Sequence, residues 1–246
     1  MTTYRDIQIE VLDTPAAFAK RVADWLLAEA LAKQDRFAVG LSGGGTPRPI
    51  YELLASAPYR DTFPWSRMHW FWGDERFVPR DDKRSNYHMT RDAMLSRAPI
   101  PEANVHPVPT EGVSPEVAAV KYEAELKAFY GADRLDDTKP LFDVQLLGLG
   151  PDGHTASLFP GNAVLGERHK WVAPVLDGKL EPRIALTYPA VGSAACVAFL
   201  VAGEEKRDIL SRLLCGDPAL PAVALTSVGK MRVFTDAAAA GTPVKR

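Results

Sequence analysis

The 246-residue sequence is poor in cysteine and carries no strong excess of charge of either sign. Two cysteines, Cys196 and Cys215, are too few for a disulfide scaffold, so we expect a reduced, cytoplasmic protein. Twenty-nine Lys and Arg against 31 Asp and Glu give a net charge of -2, which argues against binding to nucleic acid or acidic membranes. No apolar run approaches the roughly 20 residues that span a bilayer, and the charged residues 1–10 are not typical of a signal peptide. We therefore expect a soluble protein that holds its ligand with a few residues at one site.

Short apolar runs alternate with amphipathic helical patterns along the chain. The predicted strands are residues 37–40, 69–72, 144–149, 184–188, 196–202 and 231–235. The predicted helices are residues 15–33, 115–130 and 204–214; Thr14 is the expected N-cap of the first, and Gly131 ends the second. The alternation predicts a three-layer, Rossmann-like α/β fold with a mostly parallel sheet and helices on both faces. Neither a linker nor a repeat interrupts the pattern, so residues 1–246 are expected to form a single domain.

Three polar loops follow predicted strands, at residues 42–46, 74–76 and 152–154. In open α/β sheets, ligands bind outside the carboxyl ends of the strands, so these loops are expected to converge on one site. The sequence also contains Ser85 and Asn86 beside a mixed-charge loop, and two weaker cationic candidates, Arg183 and Lys206. The predicted binding residues are Ser42, Gly43, Gly44, Gly45, Thr46, Asp74, Glu75, Arg76, Ser85, Asn86, Arg183 and Lys206.

The glycine-rich loop at residues 42–46 is suited to an anion. Its glycines let backbone N–H groups approach a phosphate, and a helix is expected to start at Thr46-Pro47. The same stretch also matches G-x-S-x-G, which would make Ser42 the nucleophile of a serine esterase. The partners of such a triad would have to be Asp152 and His154, two residues apart on one turn. Anion binding is therefore the favoured interpretation.

Residues 148–153 match the dinucleotide-binding pattern G-x-G-x-x-G. Only residues 154–159 separate this turn from Pro160-Gly161, too few for the crossover helix that a dinucleotide site needs. The turn instead presents Asp152 and His154 at a strand end, where a histidine can transfer protons near neutral pH. His106 and His169 are interpreted as structural. The histidines show no metal-binding spacing, so no metal site is predicted.

Taken in order, these motifs resemble those of 6-phosphogluconolactonases, in the glucosamine-6-phosphate isomerase/6-phosphogluconolactonase family. The matching segments are residues 40–47, 72–76, 85–87, 148–160, 183–187 and 203–206. The resemblance implies a Rossmann-like fold and hydrolysis of 6-phosphoglucono-1,5-lactone to 6-phosphogluconate in the pentose phosphate pathway, without metal or organic cofactor. It further implies His154 as general base, with Asp152 orienting it. The phosphate would lie on residues 42–46, with Arg76 or Arg183 adding charge.

The related glucosamine-6-phosphate deaminases are the closest alternative, since they share the glycine loop and the Asp-Gly-His turn. They carry a glutamate for ring opening where this chain has Phe159, and usually a tyrosine where it has Arg76. A non-catalytic sugar-phosphate sensor is a further alternative, but the chain lacks the length and the basic patch for an added DNA-binding motif. The expected partner is a small sugar-phosphate lactone, with no nucleic acid or membrane, and the expected state is a monomer or small homo-oligomer.

Overall fold

Six parallel strands form the main sheet of the protein, in a computed structural model that describes residues 1–241. Residues 242–246, which the predicted domain includes, lie outside the described residues. In chain order the strands of this sheet are β1 (Gln8–Leu12), β2 (Phe37–Leu41), β3 (Met68–Trp72), β5 (Phe142–Leu147), β8 (Ala194–Val201) and β9 (Lys230–Asp236). In space they lie in the order β1-β9-β8-β5-β2-β3, and every pairing is parallel.

A second, antiparallel sheet of three short strands stands beside the main sheet. It consists of β4 (Asp74–Arg76), β7 (Arg183–Leu186) and β6 (Val172–Val175), in the order β4-β7-β6. The prediction of a loop at residues 74–76 is therefore wrong, because these residues pair with β7. The predicted strand 184–188 also ends earlier, because Tyr188 opens a helix whose first turn contains Pro189.

Helices pack around the main sheet and connect its strands. They are α1 (Pro15–Ala32), α2 (Arg48–Leu54), α3 (Tyr59–Thr62), α4 (Asn86–Thr90), α5 (Pro115–Tyr130), α6 (Tyr188–Gly192), α7 (Arg207–Cys215), α8 (Pro221–Ala224) and α9 (Ala237–Ala240). Thr14 caps α1 by accepting a hydrogen bond from the N–H of Ala17, and Gly131 ends α5 with a φ of 82°, as predicted. The predicted helix 204–214 divides into a 3-10 turn and α7.

The α/β prediction, with its mostly parallel sheet, is confirmed. Two strands of the main sheet are buried throughout or nearly so: β2, which is buried at all five positions, and β8, where Ala195 alone is exposed. Such continuous burial is typical of parallel strands covered on both faces. None of the helices within residues 1–241 has the length and apolar character needed to cross a membrane.

Candidate active site

The loops that follow β2 and β5, together with strand β4, line a cavity of about 340 Å³. Most of the predicted site residues lie on its wall: Ser42, Gly43, Gly44, Gly45, Thr46, Asp74, Arg76, Asn86, His154, Arg183 and Lys206. Other wall residues were not among the predicted site residues, notably Gly150, Ser157, Phe159 and Lys179. Asp152 lies behind His154, whereas Glu75 and Ser85 lie outside the wall.

The glycine-rich loop follows β2 and is anchored from behind by Tyr51 of α2. The Tyr51 hydroxyl accepts a hydrogen bond from the N–H of Ser42 at 3.1 Å and donates one to the Ser42 carbonyl at 2.9 Å. Helix α2 begins at Arg48, two residues later than predicted. Among residues 1–241, the N–H groups of residues 43–46 meet no hydrogen-bond acceptor. These groups are therefore available to an anion in the cavity.

The turn after β5 brings Asp152 and His154 together. The Asp152 carboxylate accepts a hydrogen bond from Nδ1 of the His154 ring, and also from the His154 backbone N–H at 3.2 Å. Gly150 makes room for the ring, since a Cβ there would lie 2.1 Å from two ring atoms. Partial burial opposes ionisation of Asp152, but the hydrogen bonds from His154 and the charge of Lys179 outweigh it and lower the Asp152 pKa. Asp152 is thus an anion at neutral pH, and it accepts a hydrogen bond from the imidazole.

Two arginines stand directly opposite each other across the antiparallel pair of β4 and β7. Arg76 and Arg183 are partners in the strand register, and like charges in that position repel each other. Arg183 is 9% exposed, and burial together with the charge of Arg76 lowers its pKa. Its Nε is buried without a hydrogen-bond partner in the described part of the chain. An anion bound between the two guanidinium groups would relieve the repulsion and supply the missing acceptor.

Asp74 and Asn86 form the polar wall between the arginines and the glycine loop. Ser157 donates a hydrogen bond to the Asp74 carboxylate at 2.6 Å, and Nδ2 of Asn86 donates to the Asp74 carbonyl at 2.8 Å. Oδ1 of Asn86 is buried and has no donor within residues 1–241. Gly43 leaves space for this amide, because a Cβ at Gly43 would lie 1.9 Å from Oδ1. The wall thus offers both carboxylate and amide groups to the hydroxyls of a sugar.

Glu75 and Ser85 support the wall from behind and do not line the cavity, so they are not placed to contact a ligand. Alternate residues of a strand point to opposite sides, and on β4 this directs Asp74 and Arg76 to the cavity and Glu75 into the protein. The Glu75 carboxylate accepts hydrogen bonds from the hydroxyl of Ser85 at 3.2 Å and from the backbone N–H groups of Arg76, Asn86 and Tyr87, each at 2.7 Å. Burial raises the pKa of Glu75 to about 7.

The geometry also bears on the alternatives that the sequence left open. The Ser42 hydroxyl donates to the Gly43 carbonyl at 3.3 Å, and within residues 1–241 no hydrogen bond joins it to His154, which argues against a serine esterase. After the 148–153 turn, the next helical residues are the 3-10 turn Ala163–Gly166, so no crossover helix follows it. His106 is structural, as predicted: it joins Glu125 to His69 and stacks on Phe71.

A potential metal site is likewise absent from the described residues, where no group of three or more His, Cys, Asp or Glu side chains could hold an ion. The chemical groups of the cavity are therefore the dyad of Asp152 and His154, a pair of facing arginines, two lysines and an amide-rich glycine loop. Such a set suits the binding of a phosphorylated polyol and a proton transfer at one end of it.

Comparison with known proteins gives one consistent family. Residues 13–234 match the model of the glucosamine-6-phosphate isomerases/6-phosphogluconolactonase family. The chain is 40% identical to a 6-phosphogluconolactonase of a Nostoc species, over 94% of this chain and 96% of that one. It is 44% identical to a 6-phosphogluconolactonase of a Synechocystis species, over 76% of this chain and 75% of that one.

A solved structure agrees with these relatives. The 6-phosphogluconolactonase of Thermotoga maritima superposes with a TM-score of 0.79 and 34% identity, over 93% of this chain and 98% of that one. Both the sequence and the arrangement of strands and helices therefore match over almost the whole length. The chain belongs to the glucosamine-6-phosphate isomerase/6-phosphogluconolactonase family.

Proposed function

We propose that this protein hydrolyses 6-phosphoglucono-1,5-lactone to 6-phosphogluconate. The names of the Nostoc and Synechocystis relatives support this activity. The observation that carries the proposal is the setting of the His154 ring, which is hydrogen-bonded to Asp152 and packed against Phe159 at 4.7 Å between ring centroids. Phe159 cannot transfer a proton, so the ring opening of an amino sugar lacks an acid–base group at this place. Hydrolysis of a lactone needs a single base beside the carbonyl.

The substrate phosphate is assigned to the end of the cavity that holds the facing arginines and the glycine loop. The guanidinium groups of Arg76 and Arg183 line the same cavity as residues 43–46, whose N–H groups meet no acceptor within residues 1–241. Charge-assisted hydrogen bonds to a dianionic phosphate are among the strongest that a protein makes. Binding the phosphate here directs the rest of the sugar towards His154.

The base in the proposed reaction is the ring nitrogen of His154 that is not hydrogen-bonded to Asp152. Because Nδ1 donates to the carboxylate, Nε2 is the basic atom, and it accepts a proton from water. The water oxygen bonds to C1 of the lactone as the carbonyl electron pair moves onto its own oxygen. The tetrahedral intermediate then collapses: the carbonyl double bond re-forms and the bond between C1 and the ring oxygen breaks. The ring oxygen takes up the proton that His154 accepted from water. The resulting carboxylic acid releases its proton to solvent.

Replacement of His154 with alanine tests this role. We expect kcat to fall by about 10²- to 10⁴-fold, the usual contribution of a positioned general base, with little change in KM. The assay generates lactone in place with glucose-6-phosphate dehydrogenase and follows its loss above the spontaneous rate. His169→Ala is the matched control, because His169 is exposed and lies outside the cavity wall. Near-normal turnover by His154→Ala would contradict the assignment.

A further inference from the structure

The connection between β6 and β7 brings an unexpected lysine to the cavity wall. Lys179 lies in this connection, and its Nζ is 3.6 Å from Oδ2 of Asp152. The same ammonium lies 5.3 Å from the centroid of the Phe159 ring, which in turn packs against His154. Lys179 therefore lies on the cavity wall beside the Asp152–His154 dyad.

Two contacts hold the backbone of the connection immediately before the lysine, at Asp177 and Gly178. Gly178 packs so closely against Phe159 that a Cβ at Gly178 would be 2.3 Å from a carbon of that ring. The preceding carbonyl, of Asp177, accepts a hydrogen bond from Nδ2 of Asn162 at 3.0 Å. The position of Lys179 beside the dyad thus follows from packing as well as from its own charge.

The other cations of the wall have different partners. Arg76 donates a hydrogen bond to the Arg84 carbonyl, and Arg183 forms an ion pair with Glu181 at 3.4 Å. The second lysine, Lys206, donates a hydrogen bond to the Leu149 carbonyl at 2.7 Å. The separation of Lys179 from Asp152, at 3.6 Å, exceeds a normal hydrogen bond, so charge holds the ammonium there and its N–H donors stay available. A side chain that is 44% exposed keeps the freedom to turn towards a ligand.

We propose that Lys179 is a further catalytic residue, one that binds the charge formed at C1 of the substrate. The inference rests on the proposed hydrolysis of a lactone. The attack of water places a full negative charge on the carbonyl oxygen, and the product keeps a negative charge as its C1 carboxylate. An ammonium beside the general base stabilises both, while the arginine pair and the glycine loop bind the phosphate. Because the intermediate gains more from this cation than the neutral lactone does, Lys179 lowers the barrier.

Two ligands that differ only at C1 show whether Lys179 binds the charge at C1 or only adds positive charge to the cavity as a whole. 6-Phosphogluconate carries the carboxylate, whereas glucitol 6-phosphate has an alcohol there and keeps the phosphate and the other hydroxyls. For Lys179→Met we expect the affinity for 6-phosphogluconate to fall about tenfold, as for one lost charge-assisted contact, and the affinity for glucitol 6-phosphate to stay within twofold. Lys121→Met is the charge-matched control, because Lys121 is exposed on α5 and lies outside the cavity wall. Calorimetric titration of the three proteins with both ligands gives the comparison.

Turnover supplies the second arm of the test. Lys179→Met should lower kcat on the lactone at least tenfold with little change in KM, and Lys179→Arg should restore most of it. Equal losses for the two ligands, or an unchanged affinity for 6-phosphogluconate, would overturn the proposal. Hydrolysis of lactone by the wild-type protein tests the proposed function separately. An inactive wild type contradicts that function, while an active wild type with an unaffected Lys179→Met contradicts the role of Lys179 alone.

Discussion

Glu75 offers a sharp test of how the cavity wall is held in place. Its buried carboxylate accepts four hydrogen bonds, three from backbone N–H groups and one from the Ser85 hydroxyl. Glu75→Ala leaves these donors without an acceptor in a buried place, at about 1 kcal/mol or more for each. We therefore expect a loss of about 4 kcal/mol in the free energy of unfolding, a large part of the ~5–15 kcal/mol typical of a protein. Glu204→Ala, at a side chain that is 77% exposed, should change it by less than about 0.5 kcal/mol.

The pH dependence of stability isolates the charge of Glu75. Burial raises its pKa from 4.5 to about 7, so the folded chain binds the proton more tightly than the unfolded chain does. The corresponding stability is full below pH 4.5 and is lost as pH rises through about 7, a total of about 3 kcal/mol. Glu75→Gln carries no such charge and should lack this decline. Urea unfolding of both proteins at pH 5 and pH 7.5 measures it; parallel declines, or a Glu75→Ala variant as stable as the wild type, would refute the reasoning.

Two further substitutions test the two ends of the cavity. Arg183→Met should raise KM for the lactone about tenfold with little change in kcat, because a phosphate contact serves substrate and transition state alike; steady-state kinetics would contradict this if kcat alone fell. Gly150→Ala places a methyl group 2.1 Å from the His154 ring and should push the imidazole out of position. We expect this displacement to lower kcat by about 10²-fold. Gly166→Ala is its control, since a Cβ there meets nothing within 4 Å and the variant should keep wild-type kcat.

The sequence predicted the main features of the fold because the strongest signals in it are local. Apolar runs of four to seven residues separated by capped helices correspond to the parallel strands β2, β3, β5, β8 and β9. The strand β1 was missed, since none of its five residues is buried and two of them, Gln8 and Glu10, are polar. The strand β6 was missed as well, because it has four residues and contains Pro174.

At β4, too, the sequence did not predict the strand, and this affected the predicted site residues. Asp, Glu and Arg are not typical strand residues, so the segment 74–76 was predicted to be a loop whose three side chains all reach the ligand. Pairing with β7 imposes the alternation of a strand, and this turns Glu75 away from the cavity. Arg183 lies opposite Arg76 because of the same pairing, which no local sequence pattern predicts.

Lys179 was missed for a different reason. The dipeptide Asp177-Gly178 is a turn signal, and it lies between two apolar runs. That signal indicates a reversal of the chain but not what the reversal contacts. The proximity of Lys179 to Asp152 depends on packing between Gly178 and Phe159, which are far apart in sequence. Functional residues brought in by tertiary contacts of this kind require the structure.

The most direct test of the account is the hydrolysis of freshly generated 6-phosphoglucono-1,5-lactone by the purified protein. The account predicts that the wild-type chain removes the lactone much faster than its spontaneous hydrolysis, and that His154→Ala returns the rate to near the spontaneous one. Lactone that disappears at the spontaneous rate in the presence of folded wild-type protein would contradict the central claim.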